Sequence, residues 1–160
     1  MTTSDWRNSL VWGLRGLSSH VEPARAVRGL TAEAAAAALP RGLHSAHRLL
    51  HHIVYWQDLM LAPAAGEKVQ WPQGPEDWDC PMAPWGELVG RFEAGLAKAE
   101  RLAREADLSV RIPEWGPEMT VGGALGVLVT HNSYHIAQLV DVRKAAGHWP
   151  PPAAPQSTET

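Results

Sequence analysis

The chain has 160 residues, of which 45% are hydrophobic and 19% charged, and 14 basic against 17 acidic side chains give a net charge of -3. With a mean hydropathy of -0.21, this is the profile of one globular domain with its own core, and it excludes a disordered or collagen-like chain. No apolar run approaches the roughly 20 residues of a membrane span, and no Lys/Arg run or basic stripe offers nucleic acid a footprint. The single cysteine, Cys80, leaves no intramolecular disulfide. Met1-Thr2-Thr3-Ser4-Asp5-Trp6 carries no basic segment leading into an apolar one, so no secretory signal is expected and a reducing cytoplasm is the simplest compartment.

Taken in chain order, Trp6, Leu10, Leu14 and Leu17 recur at helical spacing, which predicts a helix over 5–18. The pattern breaks at Pro23 and Gly29. A short Ala-rich helix follows, with Thr31 and Glu33 as start signals and Pro40 as its stop. The next long helix runs from about Leu43 to Leu61, ending before Pro63. The stretch from Ala62 to Pro84 is rich in Pro, Gly, Trp and acids, and its tryptophans, Trp71 and Trp78, point with Trp85 to an ordered connection. A third long helix spans Trp85 to Ala106, with Leu88, Val89, Phe92, Leu96, Ala99 and Leu102 on one face. The fourth starts at the N-cap residue Thr120 and runs to Ala146, where Gly147 is a natural C-cap. The tail from 151 to 160 is Pro-rich and then polar, and is expected to be disordered. Four amphipathic helices without strand-like alternation predict an all-α bundle over residues 1–150.

Two excesses stand out: 8 histidines and 8 tryptophans, beside one Phe and two Tyr. Histidine abundance favours metal chemistry but also creates accidental spacings, so each motif is tested by the helix face it occupies. His131 and His135 are four apart and fall on one face about a turn from each other, where two imidazoles can reach one ion. Val127, Leu128, Leu139 and Val142 lie on the same side with Gln138, so the pair faces the bundle interior. Buried histidines must be neutral and hydrogen-bonded, or bind something. His47 and His51 are a rival pair at the same spacing. With His44, Tyr55 and Asp58 they lie opposite the apolar arc of their helix, which makes that stripe a solvated face. His52 sits at the edge of the arc, flanked by Trp56 and Leu59. Opposite an inward-facing pair it is the natural third ligand, and three imidazoles leave open positions on a metal.

His131-Asn132-Ser133-Tyr134-His135-Ile136-Ala137-Gln138-Leu139-Val140, followed by Arg143-Lys144 and Gly147-His148-Trp149-Pro150, resembles the last helix of the DinB/YfiT-like metalloenzymes. His44 to Asp58 resembles that family's second helix, with His52 at the position of its first metal ligand. Gly29-Leu30, Pro40 and Trp71-Pro72 add weaker matches, and the resemblance spans about residues 5 to 150. It implies a four-helix bundle with up-down-down-up connections, a metal centre of His52, His131 and His135, and a homodimer. It also implies thiol-dependent chemistry in a stress-response setting, since characterised relatives include transferases that use bacillithiol or mycothiol and a maleylpyruvate isomerase.

Three functions follow as expectations. The first is a metal-dependent transferase that activates a low-molecular-weight thiol for attack on a small electrophile. The second is metal-assisted hydrolysis, for which Glu87, Glu93 and Glu100 are the carboxylates to examine. The third is a stress protein that binds a metal or small molecule without turnover. Gln57, Tyr134 and Gln138 are the candidate partners of the ligands. Zinc is the expected ion because it favours such open sites, while imidazole suits nickel, iron and copper alike, and manganese is a further candidate.

Overall fold

Three helices begin where a hydroxyl side chain caps the first turn, two of them, at Thr31 and Thr120, as the sequence predicts. Thr31 Oγ1 accepts from Ala34 N, Ser45 Oγ from Arg48 N and Thr120 Oγ1 from Gly123 N, at 3.1–3.2 Å, each satisfying a donor the helix itself cannot. The computed structural model describes residues 3–40, 43–69, 78 and 80–153. Its helices are α1 (Thr3–Leu14), α2 (Pro23–Val27), α3 (Ala32–Ala36), α4 (Ala46–Ala64), α5 (Trp85–Glu105) and α6 (Val121–Ala145). Among the described residues there is one isolated bridge, Arg111 with Thr120, and no strand. No described helix is long and apolar enough to cross a membrane. The readings of Trp71-Pro72 and of the tail from 154 onward lie outside the described residues.

Several boundaries differ from expectation: α1 ends at Leu14, two residues before Gly16 with its φ of +76°, and α4 begins at Ala46 behind its cap Ser45. Pro23 opens a helix where a break was expected, because its missing N–H is harmless at the first helical position. Pro63 lies inside the last turn of α4 rather than beyond it. At the other end of the chain Gly147, with φ +75°, closes α6. His148 N donates to Arg143 O and Gly147 N to Lys144 O, the six-to-one and five-to-two bonds that end a helix through a left-handed residue.

The four long helices pack α4 on α5 and α6, and α1 on α5 and α6. Leu49, Leu50 and Ile53 share one apolar cluster with Trp85, Leu88 and Phe92 and with Ile136, Leu139 and Val142. Met60 and Leu61 share the other with Ala99 and Ala103 and with Val121, Ala124 and Leu125. Cluster membership therefore advances together along α4 and α5 and in reverse along α6. Arg7 donates to Ala103 O and Ala106 O, while Arg15 lies on Glu100, so α1 runs against α5. Arg15, and then Arg104, hold the Glu100 carboxyl below its ordinary range.

Between the two clusters lies a polar layer. On α4 it interrupts the apolar series at Gln57, on α6 at Asn132, and on α5 it coincides with Gly95. Gln57 Nε2 donates to Phe92 O at 3.2 Å, and Gln57 Oε1 and Asn132 Nδ2 are buried without a hydrogen-bond partner among the described residues. A continuous apolar core would be more stable. Gly95 is what admits the Gln57 amide: a Cβ there would fall 2.5 Å from Gln57 Cδ. Gly95→Ala should therefore destabilise the protein by about 1–3 kcal/mol as an overpacked core substitution, read as a lower urea midpoint at unchanged slope. Gly90→Ala, where a Cβ meets nothing within 4 Å, is the control expected to be neutral or stabilising.

Candidate metal centre

His52 comes from α4, and His131 and His135 from consecutive turns of α6. Because α6 runs against α4, His52 falls level with the gap between the α6 pair. His52 Nε2 lies 3.0 Å from His135 Nε2 and 3.1 Å from His131 Nε2. The ligand atoms of the three residues all sit within 4.8 Å of one another; His52 and His135 are buried, His131 half-buried. The i,i+4 spacing and the position of His52 at the edge of its apolar arc together produce this convergence.

The outer nitrogens define how the imidazoles face inward. His135 Nδ1 is 2.8 Å from Gln138 Oε1, and His131 Nδ1 is 3.4 Å from Asn132 Oδ1. An amide oxygen only accepts, so each Nδ1 carries the proton and each Nε2 presents its lone pair to the centre. Orienting a ligand imidazole through its other nitrogen is the usual support of a metal site. Four-coordinate zinc at 2.0–2.1 Å from each nitrogen would space its ligands by roughly 3.3 Å, close to the two separations found. The donor set fits a divalent cation. Among the described residues no carboxylate belongs to the group, and the three imidazoles themselves leave the charge of an ion uncompensated.

Aromatic rings wall the site. Trp78 stacks on His52 with centroids 4.1 Å apart and 13° between planes, and on its other side stacks equally close on His44. Trp56 presents an edge to His52 and His131 and touches Trp115. Tyr134 lies edge-on to His135 at 4.9 Å, 63% exposed. Its ring forms the outer rim of the site. The role of Trp78 escaped the sequence, because nothing local couples a residue in a Pro/Gly-rich connection to His52, 26 positions earlier.

Gln138 is where the sequence places it, bonded to His135. Gln57 is not: its amide is turned into α5, on the Phe92 carbonyl. Five residues on a helix amount to about 140° of rotation, so Gln57 and His52 share neither face nor contact, whereas Trp56, one turn from His52, does touch it. Val127, expected to face inward, is 42% exposed. The rival histidines are less solvated than their helix face implies. His51 is buried, and His47 Nε2 bonds Ala83 O at 2.9 Å. Trp78, Cys80 and Ala83 lie against the start of this face: Trp78 stacks on His44, Arg48 Nη1 donates to Cys80 O and Ala83 O meets His47. That cover shields His47 without joining it to the cluster, while His44 and Asp58 of the same stripe stay exposed. On α5, Glu100 is bound by Arg15 and Arg104, Glu87 lies 3.6 Å from Arg91, and Glu93 is exposed.

The model of the DinB superfamily matches residues 23–139, more than half of the chain and including all three histidines and Gln138. The chain belongs to the DinB superfamily. No curated protein and no solved structure matches it. The superfamily match begins at α2 and ends within α6, so α1, whose Leu10, Val11 and Leu14 complete the second core cluster of this DinB protein, lies outside it.

Proposed function

We propose that the protein is a metal-dependent enzyme centred on His52, His131 and His135 that activates a low-molecular-weight thiol for transfer to a small electrophile. The observation that carries this reading is the convergence of three imidazole Nε2 atoms with two of their Nδ1 atoms on amide oxygens. A divalent ion there, zinc by preference, supplies a Lewis acid with open positions that lowers the pKa of a coordinated thiol. The chain's residues do the rest. Gln138 fixes the orientation of His135, Trp78 covers His52, Trp56 and Trp115 keep one side apolar, and Tyr134 marks the open rim. Three imidazoles leave an ion held there the charge to bind a thiolate, which favours thiol activation over hydrolysis. The same reading takes the four long helices as an up-down-down-up bundle, on the contact order described above, and the protein as a cytoplasmic homodimer.

Metal analysis of the purified chain tests the centre. About one equivalent of a divalent ion per chain is expected, and none in the His52→Ala/His131→Ala/His135→Ala variant. Full metal retention by that variant would refute the ligand assignment. Incubation of the zinc-loaded chain with a small thiol and a chlorinated aromatic electrophile tests the reaction. Metal-dependent loss of free thiol is expected; product released in water without thiol points to the hydrolase.

A further inference from the structure

Beside the histidines, a cavity of about 210 Å³ opens between the start of α4 and the C-terminal half of α6, lined by Leu43, His44, Leu49, Gln138, Asp141 and Val142. Its floor is apolar: Leu49 and Val142 are buried, and Leu43 stands half-exposed at the mouth. His44 has one face on Trp78, the ring that also covers His52. Gln138, the partner of His135 Nδ1, forms part of the wall. The cavity thus shares a wall residue with the candidate metal centre.

Among the described residues Asp141 is the one acidic or basic side chain in the lining. Its 3.0 Å ion pair with Lys144 joins two side chains 72% and 55% exposed, an arrangement that exchanges readily with solvent and does not commit the carboxylate. A water's share of liquid volume is about 30 Å³, so the cavity has room for roughly one benzyl-sized group. Apolar floor, aromatic side and a single carboxylate at the edge are the complement of a compact apolar body carrying a positive charge.

We propose that this cavity binds the apolar, amine-bearing part of the protein's organic substrate. As a subsite of the proposed metal enzyme it rests on that reading; as a binding site for small aromatic amines it does not.

Benzylamine is the probe, titrated into the full chain by calorimetry, with benzoate as the anionic counterpart. Saturable benzylamine binding with Kd on the order of 1 mM is expected for a ligand of this size, with benzoate at least about tenfold weaker because it meets the Asp141 carboxylate. Asp141→Asn should weaken benzylamine about fivefold or more and erase the preference. Leu43→Trp alters a half-exposed residue ahead of α4 and should block the mouth without disturbing the fold. If benzylamine fails to saturate, if benzoate binds as well, or if neither Asp141→Asn nor Leu43→Trp weakens binding, the proposal is overturned. Benzylamine binding by a chain that takes up no zinc would sink the metal reading alone.

Discussion

Replacing Arg143 with alanine is expected to cost about 3–5 kcal/mol, a large part of the 5–15 kcal/mol typical of a domain. Arg143 is 2% exposed, yet its partners are all carbonyl oxygens. Nη1 donates to Ala26 O at 2.6 Å, Nη2 to Arg28 O at 2.9 Å and Nε to His148 O at 3.2 Å. One guanidinium thus joins the C-terminal end of α2, the segment after it, and the turn that closes α6, with the Trp149 ring 5.6 Å from its carbon. Burial pushes its pKa down from the ordinary value, a desolvation cost that the carbonyl dipoles offset. Arginine stays protonated throughout the accessible pH range, so the charge persists. Truncation removes the cation and leaves buried carbonyls without donors, the expensive side of hydrogen-bond energetics. Lysine keeps the charge but lacks the planar fork that reaches several carbonyls at once, so Arg143→Lys should fall between wild type and alanine. Urea denaturation of the three proteins checks the order. An alanine variant within about 0.5 kcal/mol of wild type, the range of ordinary surface substitutions, would show that the carbonyls find other donors.

What the sequence makes legible here is local. Caps at Thr31 and Thr120 and the C-terminal Gly147 are chemical signals confined to one helix end, and they mark helix ends in the structure. The His131/His135 pair is legible for the same reason: four residues make about one turn on any helix. His52 needed one more step, since its edge position acquires meaning only opposite that pair. The misreadings are tertiary. Gln57 is near His52 in sequence but on another face. His51 is buried and His47 is held on Ala83 O, and no property of α4 foretells either. Arg143 and Lys144 are neighbours in the last-helix motif, yet Lys144 is exposed while Arg143 is buried because α2 folds back onto it. The polar layer of Gln57, Gly95 and Asn132 emerges only when three helices are set in register.

Zinc should stabilise the folded chain, and the histidines and their neighbours should divide that effect in a defined way. A ligand that binds only the folded state, at a free concentration 100 times its Kd, adds about 2.7 kcal/mol. For a chain of this size that is a rise of roughly 5–10 °C in the unfolding midpoint. His135→Ala removes a ligand whose Nε2 lies 3.0 Å from that of His52, and the rise should vanish. Gln138→Ala keeps all three ligands but frees the His135 ring, held now by the 2.8 Å Nδ1 bond. Losses of 10–100-fold in metal affinity are typical when such a partner is removed, so the full rise should return at correspondingly higher zinc. Gln57→Ala separates this from general loosening of the core. Its side chain is fully buried against α5 rather than at the histidines, so it should lower the midpoint equally with and without zinc and leave the zinc-dependent increment intact. Thermal unfolding of the four proteins across a zinc titration gives the comparison. Equal zinc responses in wild type and His135→Ala would mean that zinc acts elsewhere on the chain. A Gln138→Ala curve superimposed on wild type would mean that the packing of Tyr134 and Trp78 around His135, and not the hydrogen bond, sets the ring.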